Sequence, residues 1–157
     1  MTQLESAKRG IITEEMKRVA EAERVDAQTI RGRMAEGRLV IPCNKNRKAE
    51  EVCGIGEGLR TKVNANIGTS VDFADLQVEL EKLRMAEEAK ADAVMDLSTG
   101  GDLAGIRRAI LGRSMIPVGT VPIYETACKL AQNGKSMMEM TKDFLSCFEL
   151  NPKQGIW

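Results

Sequence analysis

The chain has no histidine among its 157 residues. Imidazole is the commonest general base near neutral pH and the commonest side-chain ligand for metals. A histidine-based triad or a self-contained histidine metal site is therefore excluded. Aromatic residues make up only 3%, with one Trp, one Tyr and three Phe, too few for the stacking platforms that hold single-stranded nucleic acid. Neither sign of charge is in surplus, because 23 Lys and Arg face 23 Asp and Glu. Zero net charge removes the bulk attraction that drives binding to nucleic acid or to an anionic membrane. No apolar run is long enough to cross a bilayer. The opening MTQLESAKRG carries no apolar signal region, so the expectation is a cytoplasmic protein with no nucleic-acid and no membrane partner. Cys43, Cys53, Cys128 and Cys147 form no CxxC pair, and reduced thiols in a cytosolic chain are the plain reading.

What is present suits one soluble domain with a real core: 43% hydrophobic and 29% charged residues. The most informative stretch is Lys62–Ser70, KVNANIGTS. It continues an alternating run in which Arg60 and Lys62 face one way and Leu59, Thr61 and Val63 the other, a strand pattern. Asn64 and Asn66 share one face of that strand, since side chains repeat every two residues. Gly68 permits a sharp turn, and Thr69, Ser70 and Asp72 are each able to cap a helix beginning near 72–75. Polar groups thus gather where a strand hands over to a helix, the end at which α/β folds bind ligands.

Before that stretch, residues 2–24 read as helical, with Thr13 as a cap and Met16, Val19 and Ala20 on the inner face. Asp26 caps a second helix over 27–36, which Gly37 ends, and Leu39-Val40-Ile41 is a short buried-strand candidate. The GIGEG run at 54–58 resembles a phosphate loop only superficially. A strand follows it where the dinucleotide fingerprint needs a helix, so the glycines read as turn-makers.

After it, strand and helix alternate. A helix over 75–89 leads to a strand at 93–97. Its exit turn Ser98–Gly101 and Asp96 either touch a ligand phosphate or, as the preferred reading, cap the next helix. Asp102 also has the position of a cap. A helix over 103–112, a strand over 116–121 and a helix over 125–132 follow, and then a segment rich in Met over 136–140 and residues 141–148. Met115, Met137, Met138 and Met140 read as core filler or as surface meant for further parts of the fold. Asn66 to Met95 is 29 residues, and Met95 to Tyr124 is again 29. That is about one βα unit of a barrel, and equal spacing predicts equivalent positions for all three on neighbouring strand ends. The expected class is α/β: an incomplete (β/α)8 barrel of about three βα units behind a small, mainly helical N-terminal region. Residues 1–57 form that region with its Gly-rich loop, 58–146 the barrel units, and 147–157 a divergent tail. Three units do not close a barrel, so the chain is expected to be a piece of a larger protein or a truncated copy of one.

KVNANIGTS (62–70), VMDLSTGGDL (94–103) and VGTVPIYE (118–125), in this order, resemble the phosphomethylpyrimidine synthase family, as do the opening residues and GIGEGLR. The resemblance covers roughly 1–146. It implies a radical S-adenosylmethionine (SAM) enzyme of carbon–carbon lyase type, with a 4Fe–4S cluster. Such an enzyme rearranges 5-aminoimidazole ribotide (AIR) to hydroxymethylpyrimidine phosphate in thiamin biosynthesis, and the full-length family is expected to be a homodimer. By motif, Asn66, Met95 and Tyr124 match substrate-contacting positions; no catalytic and no metal residue is carried over. Asn66 brings a donor and an acceptor, Met95 a soft apolar wall, and Tyr124 a hydroxyl and a flat face. The family's CxxC-containing cluster motif, its metal-binding histidines and its later substrate histidine have no counterpart in this sequence. Cluster, SAM and the zinc that the full-length family leaves open thus find no ligands in this chain. Asn44-Lys45-Asn46-Arg47 replaces the family's usual small, His-containing loop. A paralogue, 5-hydroxybenzimidazole synthase, which acts on the same AIR, and a non-catalytic truncated copy are the alternatives.

Overall fold

A computed structural model of the chain describes residues 1–44, 46 and 51–134. Cys147, the Met-rich segment, residues 141–148 and the tail lie outside them.

The N-terminal region is three short helices around one apolar cluster. The helix expected over 2–24 is two, α1 (Gln3–Lys8) and α2 (Glu14–Glu23). They part at Gly10, whose φ of +78° no right-handed helix continues, and the Thr13 hydroxyl then accepts the Met16 N–H (3.2 Å) to start α2. Asp26 caps α3 (Ala27–Ala35) through the Thr29 N–H, as expected. Met16, Val19, Ile30 and Met34 from α2 and α3 meet Leu39 and Ile41 in the cluster. Each such burial contributes roughly 1.5–3 kcal/mol. Leu39–Val40 (β1) pairs antiparallel with Ile55–Gly56 (β2). The GIGEG glycines are therefore not simply turn-makers: a Cβ on Gly56 would stand 2.4 Å from the Arg38 carbonyl oxygen. The backbone of the paired segment already fills the space that a side chain at position 56 would need.

The second part is a parallel sheet backed by helices. Asn64–Ile67 (β3), Ala93–Asp96 (β4) and Val118–Thr120 (β5) lie in the order β3-β4-β5, all parallel. Helices α4 (Leu76–Glu88), α5 (Leu103–Arg113) and α6 (Pro122–Gln132) follow them in turn. The alternation read from sequence is thus a mixed α/β fold. Ile67, Val94 and Val118 point to one face, where they pack with Leu80 and Leu83 of α4 and Ile106 and Ile110 of α5.

Several boundaries differ from expectation. Residues 59–63 are not strand. Their alternation is real but serves side-chain pairing: Arg60 and Lys62 both reach Glu23, and Arg60 also binds Asp92. Thr69, Ser70 and Asp72 do not cap α4. Asp75 does, accepting the Gln77 N–H at 2.8 Å, because the loop runs three residues further before the helical turn begins. The third strand shortens to 118–120, and α6 starts at Pro122 rather than at 125. A proline suits the first helical turn, where its missing N–H costs nothing.

The Glu23–Lys62 pair joins α2 to the segment entering the sheet. Lys62 Nζ lies 2.7 Å from Glu23, with both side chains more than nine-tenths buried. Burial pushes the Glu23 carboxyl up, but bonds from Lys62 and the Arg60 N–H outweigh it and leave the group below its ordinary value. Asp92 is likewise low, because the Arg60 guanidinium and the Val63 N–H overcome its burial. Both folded-state values are depressed, so each stabilises fully above the unfolded carboxylate range of about 3.9–4.3 and stops doing so as pH falls through the lower folded value. The Glu23→Gln/Asp92→Asn variant is expected to be less stable at pH 7 and to lose less further stability on acidification. Urea midpoints of both proteins at pH 7 and pH 3 measure this; equal acid losses contradict it.

Candidate functional site

The face of the sheet away from α4 and α5 carries, by the two-residue alternation, Asn64 and Asn66 from β3, Ala93 and Met95 from β4, and Gly119 from β5. Asn66 pairs directly with Met95, and Met95 directly with Gly119. Amide, thioether and bare backbone thus form one row across three strands near their C-terminal ends. The 29-residue spacing was a true register for the first two. For Tyr124 it was not. Gly119 holds the equivalent place, and Tyr124 stands five residues on, in the first turn of α6, 44% exposed. The discrepancy arises because the unit running from β4 through α5 is five residues shorter than the one before it: Met95 lies 24 residues before its partner Gly119, whereas Asn66 lies 29 before Met95.

Asn66 is exposed and its Oδ1 accepts from Asn64 Nδ2 at 3.3 Å, which leaves the Asn66 amide nitrogen as a donor facing the open side. Met95 is half-buried beside it. Gly119 adds no side chain and is itself buried, so the exposed part of the row lies over β3 and β4. The arrangement can hold a flat polar molecule by one amide and one thioether wall. It offers no nucleophile and no general base in the row.

Beneath the row, the strand exits are knitted together. Asp96 is buried, and its Oδ1 accepts from the Ser98 N–H (3.0 Å) and hydroxyl (2.5 Å). Burial pushes its carboxyl up, against the Ser98 donors and Arg107, which pull it down. Asp96 and Ser98–Gly101 therefore do not cap the next helix; Asp102 does, through the Gly105 N–H at 3.0 Å. The Ser98 hydroxyl oxygen accepts the Thr69 N–H (3.1 Å), and the Thr69 hydroxyl donates to the Gly100 carbonyl (2.7 Å). Arg107 of α5 and Glu125 of α6 form a buried ion pair, with Lys129 on the outer carboxylate oxygen at 2.7 Å. Burial raises Glu125, but the Lys129 and Arg107 bonds win and hold it low.

None of Glu79, Arg107 or Glu125 was singled out from sequence. A signal existed. Glu79 sits among Leu76, Leu80 and Leu83, and Arg107 among Leu103, Ile106 and Ile110. A charge on the apolar stripe of a helix must find a buried partner.

Among the described residues no three His, Cys, Asp or Glu side chains form a group able to hold a metal ion. Cys43 is exposed. Cys53 is buried near Asp92, before the start of β4, and Cys128 donates to the Thr99 carbonyl (3.2 Å), beyond its end. Burial, helped by Asp92, raises the Cys53 thiol, the reverse of what a thiolate ligand needs. Among the described residues no helix is long and apolar enough to cross a membrane.

A family model described as the Radical SAM ThiC family matches residues 2–156. The phosphomethylpyrimidine synthase of Dehalococcoides mccartyi strain CBDB1 is 48% identical over 157 residues, covering 99% of this chain and 36% of that protein. The protein of the same name from Methanocaldococcus jannaschii is 50% identical over 99% of this chain and 37% of its own length. Phosphomethylpyrimidine synthase 1 of Methanothermobacter thermautotrophicus is 49% identical, over 36% of its length. The chain thus spans little more than a third of the curated relatives it matches.

Proposed function

Because the chain belongs to the radical SAM ThiC family, we propose that it carries a substrate-binding part of a phosphomethylpyrimidine synthase acting on AIR in thiamin pyrimidine biosynthesis. On this reading β3–α4, β4–α5 and β5–α6 are the first three units of a (β/α)8 barrel, within residues 58–146. Residues 1–57 are its N-terminal region, 147–157 a divergent tail, and the complete enzyme a cytoplasmic homodimer. The observation that carries the reading is the Asn66–Met95 cross-strand pair at the C-terminal end of a parallel sheet, the rim where barrels of this kind place ligands.

Asn66 donates to or accepts from a heteroatom of the aminoimidazole ring, and Met95 closes one apolar side. Tyr124 supplies its phenol from the start of α6 rather than from the row. These residues orient the substrate and keep water from it; they do not exchange protons with it. Membership in the family implies that the full-length protein uses a 4Fe–4S cluster and SAM, which supply the radical that starts the rearrangement. The described cysteines do not fit such a cluster, since Cys53 and Cys128 are held before and beyond β4. The cluster's ligands are assigned to the rest of the enzyme.

The test replaces the matching segment of the Methanocaldococcus jannaschii protein with residues 1–134 of this chain and assays AIR turnover anaerobically with SAM and a reductant. Hydroxymethylpyrimidine phosphate is the expected product. Asn66→Ala in that chimera is expected to lose about 10–100-fold in kcat/KM, roughly 1.4–2.7 kcal/mol of transition-state binding. Formation of 5-hydroxybenzimidazole instead transfers the assignment to the paralogue. A folded, iron-loaded chimera that makes neither product overturns the reading.

A further inference from the structure

Glu79 lies on the inner face of α4 with no exposed surface. Its Oε2 accepts the Gly68 N–H at 2.7 Å, and its Oε1 accepts from Lys82 Nζ at 2.6 Å. Gly68 is two residues beyond Asn66 on the same chain. It lies flat on the β4 exit, where a Cβ would stand 2.7 Å from the Leu97 carbonyl carbon and the Ser98 nitrogen. Placing a carboxylate in this position is costly unless its bonds recover the lost hydration. A leucine on the same stripe would pack without that cost and would leave the Gly68 N–H without this acceptor. The carboxylate therefore secures one thing an apolar side chain cannot: the height and direction at which the chain leaves β3.

We propose that Glu79 is a positioning residue for Asn66, its buried carboxylate fixing, through the Gly68 N–H, where the end of β3 sets the Asn66 amide on the open sheet face. That Asn66 contacts substrate rests on the function proposed above; the coupling of Glu79 to Asn66 does not. Asp96 serves the neighbouring exit in the same way through Ser98, so the two turns are held from below by one carboxylate each.

The experiment is amide NMR of the full chain, read at the Gly68 N–H and the Asn66 side-chain NH2, with and without AIR. In Glu79→Leu the Gly68 resonance moves upfield as its charged acceptor disappears, and the Asn66 NH2 signals shift and broaden. Glu79→Gln keeps an acceptor oxygen and restores both largely to their wild-type places. Leu83→Ala, a core truncation on the same helix, lowers the urea midpoint yet leaves the Asn66 signals unmoved. Should Glu79→Leu fail to fold, Glu79→Asp, one methylene shorter, shifts the same two resonances in the same direction. Asn66 signals unchanged in Glu79→Leu and Glu79→Asp, or equally perturbed by Leu83→Ala, overturn the proposal. With AIR, the dissociation constant rises at least about tenfold in Glu79→Leu and stays within about threefold in Glu79→Gln. A wild-type chain showing no AIR-dependent shift counts against the substrate reading alone, because the Glu79–Asn66 coupling is read without ligand.

Discussion

Glu125→Ala is expected to destabilise the chain by about 3–5 kcal/mol, the usual cost of removing one partner from a buried ion pair. Arg107 and Glu125 are each about 5% exposed in their side chains, and they tie α5 to α6. Truncating Glu125 takes the facing carboxylate away from a guanidinium that cannot shed its proton. Lys129 also loses the Glu125 carboxylate, but it is about half exposed, and a solvated ion pair is worth about 0–1 kcal/mol. The large term is therefore the buried guanidinium. The double variant Arg107→Met/Glu125→Leu separates the two contributions, because it removes both charges and fills the space with apolar atoms. It is expected to be nearer the wild type than Glu125→Ala alone, since well-packed apolar replacements of buried pairs are often neutral or better. Urea unfolding of wild type, Arg107→Met, Glu125→Leu and the double variant gives the coupling energy directly. A loss below about 1 kcal/mol for Glu125→Ala would mean that water reaches the guanidinium.

That pair also marks where the sequence was readable and where it was not. Caps and apolar stripes act within one turn or one strand, and they were legible. Thr13 and Asp26 start their helices where their side chains can reach the third N–H. Ile106 and Ile110 face the sheet, as their spacing requires. The Asn66–Met95 pairing was legible too, because 29 residues is about the length of one βα unit, and the β3–α4 unit has that length. Tyr124 shows the limit of that argument. Equal spacing equates positions only if each unit has the same length, and α5, at 11 residues against 13 for α4, follows a shorter loop, so β5 meets Met95 at Gly119 and not at Tyr124. The buried network was legible only in part. Glu79 and Arg107 stood visibly in apolar stripes, but Gly68 is eleven residues from Glu79 and Glu125 is eighteen from Arg107. No local rule connects residues so far apart. The GIGEG strand was missed for the same reason, since its partner lies in the segment before it and its length is two residues.

Gly100→Ala is expected to be among the most damaging single-methyl additions in the described chain, although the residue carries no side chain and lies in a turn. A Cβ there would stand 2.1 Å from the Ser70 carbonyl oxygen, 2.4 Å from its carbon and 2.7 Å from the Val71 nitrogen. All three are backbone atoms, so no rotamer change relieves the contact. The β3–α4 loop must move bodily away from the β4–α5 turn. That movement pulls on the bonds joining the exits: Thr69 hydroxyl to Gly100 carbonyl at 2.7 Å, Thr99 N–H to Thr69 carbonyl at 2.8 Å, and Thr69 N–H to the Ser98 hydroxyl oxygen at 3.1 Å. Overpacking a tight site costs about 1–3 kcal/mol. Each hydrogen bond weakened in a buried position adds about 0.5–1.5 kcal/mol. A loss of about 3 kcal/mol or more is the expected result, by urea unfolding. Gly32→Ala is the matched control. Gly32 lies inside α3, and a Cβ there meets nothing within 4 Å. The same methyl should stabilise by about 0.5–1 kcal/mol, because alanine loses less backbone freedom than glycine on entering a helix. Opposite signs for the two substitutions attribute the Gly100 loss to contact between the two strand exits. Because Asn66 stands three residues before Thr69 on the same exit, Gly100→Ala should also shift the Asn66 side-chain NH2 resonance. If stability and that resonance both stay at wild-type values, the two exits are not in contact, and the Asn66–Met95 row loses the support from below on which its geometry depends.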